Sequence, residues 1–190
     1  MPTEISQDVI NQFVNSAHHD LATVKKMLEE SPDLINMRSN QEETALQAAS
    51  HTGQKHIVEF LLQAGAPLDI CTAALLGRKE EVQQFLAKDR SLIAATGSHG
   101  IPLAFFGALG GEIAVAEILL AHGVDLNAGK NVYTALHGAV MSNNPAMATW
   151  LLSHGAQPDI KNFSGQTPLE LAVQFKRTSV QEVLQKSAHA

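Results

Sequence analysis

The sequence predicts an all-α protein, a solenoid of six helix pairs. Three observations carry that prediction. A head segment recurs as Thr44-Ala45-Leu46-Gln47, Ile101-Pro102-Leu103-Ala104, Thr134-Ala135-Leu136-His137 and Thr167-Pro168-Leu169-Glu170, the last three at intervals of 33 residues. A leucine pair or a close equivalent closes each second helix, its last member at Leu28, Leu62, Leu86, Leu120 and Leu152, in steps of 34, 24, 34 and 32. Glycine usually follows, at Gly65, Gly123 and Gly155. Self-similarity at such a period marks an array in which each helix pair buries its apolar face against its neighbours.

The ruler divides the chain into repeats of about 1–37, 38–68, 69–95, 96–127, 128–160 and 161–190, read as one domain. In repeat one, Val9–Ser16 and Leu21–Glu30 form the pair, with Leu21, Val24 and Leu28 on one helical face and Ser31-Pro32-Asp33 stopping the second helix. Thr44, Thr134 and Thr167 stand where a threonine caps a first helix. The short step of 24 falls between repeats two and three. There Gly65-Ala66-Pro67-Leu68-Asp69 runs straight into Ile70-Cys71-Thr72-Ala73-Ala74-Leu75-Leu76-Gly77, and Asp69 reads as the N-cap of that helix. Elsewhere an extended stretch separates the two, as from Gly123 to Tyr133 or from Gly155 to Gln166.

Repeat four contains the most apolar run, Leu103 to Leu120, close to the minimum for a membrane span. Glu112 and Glu117 lie within it, and Gly107, Gly110 and Gly111 interrupt it, so it reads as two buried helices joined by a glycine turn made of all three. In repeat six Val183-Leu184 takes the ruler position, and Gln185 replaces the second leucine, as suits a face that meets water.

A period near 33 headed by Thr-Pro-Leu-His-type segments resembles the ankyrin-repeat family over almost the whole chain. The resemblance implies short β-hairpin fingers between helix pairs, with one finger missing before repeat three. It also implies that His137 ties neighbouring repeats by hydrogen bonds, with Gln47, Ala104 and Glu170 in its place elsewhere.

Composition fits a packed protein: 45% hydrophobic, 17% charged and only 5% aromatic. Residues 1–70 hold four Lys/Arg and ten Asp/Glu, and the remainder holds nine of each, so the net charge of −6 sits wholly in the first third. No basic stripe exists, which argues against nucleic acid. The opening Met1-Pro2-Thr3-Glu4 lacks the character of a signal peptide, so a cytoplasmic location is expected.

Catalytic and metal motifs are missing. No G-x-S-x-G, phosphate loop or H-E-x-x-H is present. Cys71 is the one cysteine and reads as a small buried residue of a first helix. Of nine histidines, His18 and His19 diverge by about 100° on a helix, His51 and His56 flank a turn, and His122 and His154 occupy equivalent helix ends. The expectation is therefore no metal, no cofactor and no enzymatic activity; the rival is an enzyme or metal protein using Cys71 or the histidines.

By resemblance, the protein binds a protein partner, as a monomer, on a concave face made of finger tips and the exposed side of first helices. It would act as an adaptor or regulator, with an inhibitor or antitoxin-like subunit as the alternative. Carried over by position, the candidate contact residues are Leu75, Leu76, Leu109, Met141 and Phe175 with His51 on the first helices, and Glu43, Asn131, Tyr133 and Phe163 on the fingers. Leu75, Leu76 and Leu109 fit either a binding strip or the local core. The acidic third reads first as a soluble acidic surface; Glu42 and Glu43 sit on its one finger and would steer a partner that carries a basic patch.

Overall fold

A computed structural model describes residues 5–187. The chain divides into two compact bodies, residues 1–69 and 70–190. Among the described residues it forms twelve α-helices and no extended strand. In the first body these are α1 (Gln7–Ser16), α2 (Leu21–Glu30), α3 (Ala45–His51) and α4 (Lys55–Gln63). In the second they are α5 (Ile70–Leu75), α6 (Lys79–Lys88), α7 (Leu103–Gly110), α8 (Ile113–Ala121), α9 (Ala135–Met141), α10 (Pro145–Ser153), α11 (Pro168–Gln174) and α12 (Thr178–Ser187). They pair into the six expected repeats. The Met1 to Glu4 segment read for a leader lies outside the described residues.

Helices of six to ten residues are too short to persist alone in water. Stacking supplies what they lack. In the first body α1 packs on α2 and α3, and α3 on α4. In the second, α7 lies between α5 and α9, α9 contacts α11, and second helices pack on second helices, as α6 on α8 and α10 on α12. Capping fixes where α3, α9 and α11 begin. Gln47 Oε1 accepts from the Thr44 amide at 3.0 Å, and Glu170 Oε2 from the Thr167 amide at 2.7 Å, each closing a reciprocal capping box.

Two glycines set the spacing of the first-helix layer. A Cβ on Gly110 would lie 2.6 Å from the Leu75 carbonyl oxygen, and one on Gly138 would lie 2.6 Å from that of Phe105. The backbones of α5, α7 and α9 thus approach closer than any side chain allows. This corrects the reading of Gly107, Gly110 and Gly111 as a single turn. Gly107 and Gly110 belong to α7, and Gly111 alone makes the turn, at φ 87°. The apolar run around them is split into α7 and α8, and no helix among the described residues is long and apolar enough to cross a membrane.

The fingers are hairpins reduced to their tips. Single antiparallel bridges join Arg38 to Thr44 and Thr96 to Pro102. Between Gly65 and Ile70 the chain forms no paired segment, so the finger before repeat three is absent, as the 24-residue step predicts. The structure adds a feature that the ruler does not contain. Repeats one and three leave their second helix through a 3₁₀ turn, Pro32–Asn36 and Arg90–Ala94, where repeats two, four and five use a glycine with positive φ.

Candidate functional site

The candidate contact residues fall into three groups. Leu75 is fully buried and Leu109 is 6% exposed. Neither offers a surface, so the binding-strip expectation for them is corrected to a core role. The cause is the close approach of α5, α7 and α9 just described, which encloses side chains at the ends of these helices. Leu76 and Met141 are half-buried.

The second group is exposed and lies at the tips of two fingers and the end of α11. Phe163 is 66% exposed, Phe175 42%, and Asn131 is exposed. Val173, not singled out from the sequence, is 54% exposed. It lies one helical turn from the exposed Glu170, and that spacing was the available signal. Three of the four exposed large apolar side chains among the described residues thus fall in the segment 163–175.

The finger that carries Phe163 is held firmly. Its ends close through the Asn162 amide on the Gln166 carbonyl at 2.8 Å. The buried Asn162 side chain accepts from the amides of Ser164 and Gln166 at 3.0 and 2.9 Å. Neighbouring fingers bond to one another, Asn131 amide to Lys161 carbonyl at 3.0 Å and Phe163 amide to Val132 carbonyl at 3.1 Å. Aromatic rings continue the contact inward. Phe163 meets half-buried Tyr133 edge-on, centroids 5.2 Å apart, and Tyr133 stacks on fully buried Phe105 at 5.4 Å. Desolvation raises the Tyr133 phenol above its ordinary value.

His137 links the same two repeats. Its Nδ1 accepts from the Thr134 amide at 3.1 Å, and its Nε2–H donates to the Gln166 carbonyl at 3.1 Å. That is the inter-repeat tie expected of it. Burial lowers the imidazole below its ordinary value, against a weaker opposing effect of the Gln166 carbonyl. The neutral ring is also the form these partners require.

The third group lies in the first body and does not match its expectation. Glu43 is only 2% exposed, so it is no surface charge for steering a partner; exposed Glu42 alone remains of that pair. Its carboxylate turns inward between two histidines. Half-buried His51 places Nδ1 2.9 Å from Glu43 Oε1, and half-buried His18 places Nε2 3.7 Å from Oε2. The two rings stand 5.1 Å apart, edge to face. These three residues could hold a metal ion. Sequence reading missed the cluster because His18 lies 25 residues before Glu43, and only the packing of α1 on α3 joins them.

The other chemical candidates stay apart. Cys71 is buried in α5. His19 and His56 are exposed. His122 and His154 each bring Nδ1 to the carbonyl four residues back, Ile118 at 2.8 Å and Trp150 at 2.7 Å, at the ends of α8 and α10.

Comparison with known proteins agrees with this architecture. The family description for ankyrin repeats in three copies matches residues 70–162 and 111–190, and that for a single ankyrin repeat matches residues 41–73. The chain is 32% identical over 196 residues to the nuclear factor NF-kappa-B p105 subunit of Gallus gallus, across 93% of this chain and 20% of that protein. It is 24% identical over 164 residues to SH3 and multiple ankyrin repeat domains protein 2 of Homo sapiens, across 81% of this chain and 9% of that protein. It is 28% identical over 162 residues to neurogenic locus notch homolog protein 1 of Homo sapiens, across 80% and 6%. The chain therefore spans a fifth or less of the length of these three relatives. Six helix pairs, the capped heads of three of them and these matches together place the chain in the ankyrin-repeat family.

Proposed function

We propose that this protein is a non-enzymatic interaction module that grips a protein partner with the fingers of repeats five and six and the first helix of repeat six. The ankyrin fold supports a protein-interaction role in general. One observation carries the finer reading: the concentration of Phe163, Val173 and Phe175 in a thirteen-residue segment whose finger is fixed by backbone bonds. Exposed apolar side chains in such density mark contact surfaces. Aromatic anchors on a rigid frame lose little conformational freedom on binding and supply much of the affinity. Asn131 and Tyr133 flank the anchor on the adjoining finger, and half-buried Leu76 and Met141 extend the first-helix side. His51 belongs instead to the cluster in the first body.

Capture of partners from a lysate of the source organism, by immobilised wild type and by the double variant Phe163→Ala/Phe175→Ala, tests this. A partner retained by the wild type and lost by a normally folded variant supports the reading. Equal retention of every partner by both contradicts it.

A further inference from the structure

We propose that His18, Glu43 and His51 form a binding site for one divalent transition-metal ion, of which Zn²⁺ fits best, in the first body. The proposal starts from hydrogen-bond roles. His18 Nδ1 lies 3.1 Å from the Asn15 carbonyl oxygen. A carbonyl only accepts, so Nδ1 carries the hydrogen. In the neutral ring, Nε2 then directs a lone pair at a carboxylate oxygen 3.7 Å away. Two electron-rich atoms then face each other, and a cation between them, a proton or a metal ion, removes the repulsion. A metal-ligating histidine commonly has this arrangement, its second nitrogen donating to a backbone carbonyl that fixes tautomer and ring orientation.

The donor set is right for the ion. Two imidazole nitrogens and one carboxylate make a three-ligand site with a fourth position left for water, as in many zinc centres. One nitrogen or oxygen from each residue lies within 4.8 Å of the others. Ligands at about 2.05 Å from a tetrahedral ion lie about 3.4 Å apart. The 2.9 and 3.7 Å separations, each to a different oxygen of the Glu43 carboxylate, are close to that value, and rotation of the half-buried His18 ring would turn its Nε2 toward the ion.

The frame is built before the ion arrives. The Thr44–Gln47 capping box fixes the start of α3, directly after Glu43, and His51 ends the same helix. Asn11 Oδ1 accepts from the Asn40 amide at 2.9 Å, and Gln7 donates to the Arg38 carbonyl at 3.1 Å, so α1 and its His18 turn are stitched to the finger that bears Glu43. A polar cleft of about 550 Å³, lined by Asn11, Asn15, Ser39 and Gln41 among others, reaches His18 and Glu43 and offers a way in. Residues 1–70 carry six more acidic than basic groups, which favours a cation. The ion would tie the turn after α1 to both ends of α3.

The test uses the full chain without a polyhistidine tag, stripped with chelator and titrated with Zn²⁺ by calorimetry and with Co²⁺ by visible absorption. The expected result is one ion per chain and an intense cobalt band of tetrahedral character. Separate His18→Ala and His51→Ala variants should each weaken binding by more than the roughly 10–100-fold that loss of an outer-shell partner costs. His19→Ala, at the exposed neighbour, should bind as wild type does. Histidine-ring NMR keeps the test open should a variant fold poorly: Zn²⁺ should shift the His18 and His51 resonances of the wild-type protein and leave His122 and His154 unmoved. The proposal is overturned if wild type binds no more tightly than the His18→Ala variant, or if Zn²⁺ moves the histidine signals indiscriminately. The cluster would then be a carboxylate held by two imidazoles through protons alone.

Discussion

Glu43 and Tyr133 occupy the same place in their repeats, one residue before a capping threonine, and they serve opposite chemistry. In the first body the position holds a buried carboxylate between His18 and His51. In the second it holds a half-buried ring stacked on Phe105 and meeting Phe163. The backbone route is common to both, since Thr44 and Thr134 open α3 and α9 alike. A capped finger therefore delivers whatever side chain stands there to the interior edge of its repeat. The repeat fixes the path, and the single residue fixes whether the edge is a polar cluster or the root of an aromatic surface.

The core of the second body should respond most strongly. Leu75→Asp places an unpaired charge at a fully buried position, and an expected loss of about 4 kcal/mol or more is enough to unfold the second body. Urea denaturation followed by circular dichroism measures it. A mild effect would mean that the α5–α7 contact opens readily.

The next effect compares the shared frame directly. Leu46 and Leu136 hold the same head position and are 3% and 1% exposed. Leu46→Ala and Leu136→Ala should each cost about 2–5 kcal/mol. Unequal losses beyond that spread would show that the two repeats are not built alike.

A smaller effect separates Gln47 from His137, which cap the same turn. His137→Ala should cost about 1–3 kcal/mol through the lost partners of Thr134 and Gln166. The pH dependence has a definite sign. The folded imidazole titrates below its ordinary value near 6.5, so the unfolded chain takes up a proton first. Stability that is full above about pH 6.5 should fall as pH drops through that value, and level off once the folded ring protonates as well. His137→Gln, which copies repeat two, should remove this contribution from melting temperatures measured across the range.

The smallest stability change is expected at the surface. Phe163→Ala should alter unfolding free energy by no more than about 0.5 kcal/mol, because the residue is already 66% exposed. A large loss would make Phe163 a packing residue of Tyr133 and remove it from the contact surface.

Most of the fold was legible in the sequence because it is periodic. The heads at Thr44, Thr134 and Thr167 mark first helices, and the short step marks the missing finger. The 3₁₀ exits after α2 and α6 were not legible, since the reading followed glycines and these exits contain none. The site was legible in part. Phe163, Phe175 and Asn131 sit at turns and helix ends, where exposure follows from position alone. Leu75 and Leu109 depend on how closely α5, α7 and α9 approach, which Gly110 and Gly138 determine from other repeats. Glu43 was read outward because charged residues prefer water; its burial rests on His18 and His51, brought to it by packing.

The claim that the aromatic finger is the gripping surface is tested most directly by hydrogen–deuterium exchange on the protein with its captured partner. The account predicts slowed exchange in residues 128–134 and 160–175 on binding, with the finger at residues 39–43 unchanged. Protection confined to residues 39–43, or to segments outside repeats five and six, would contradict it.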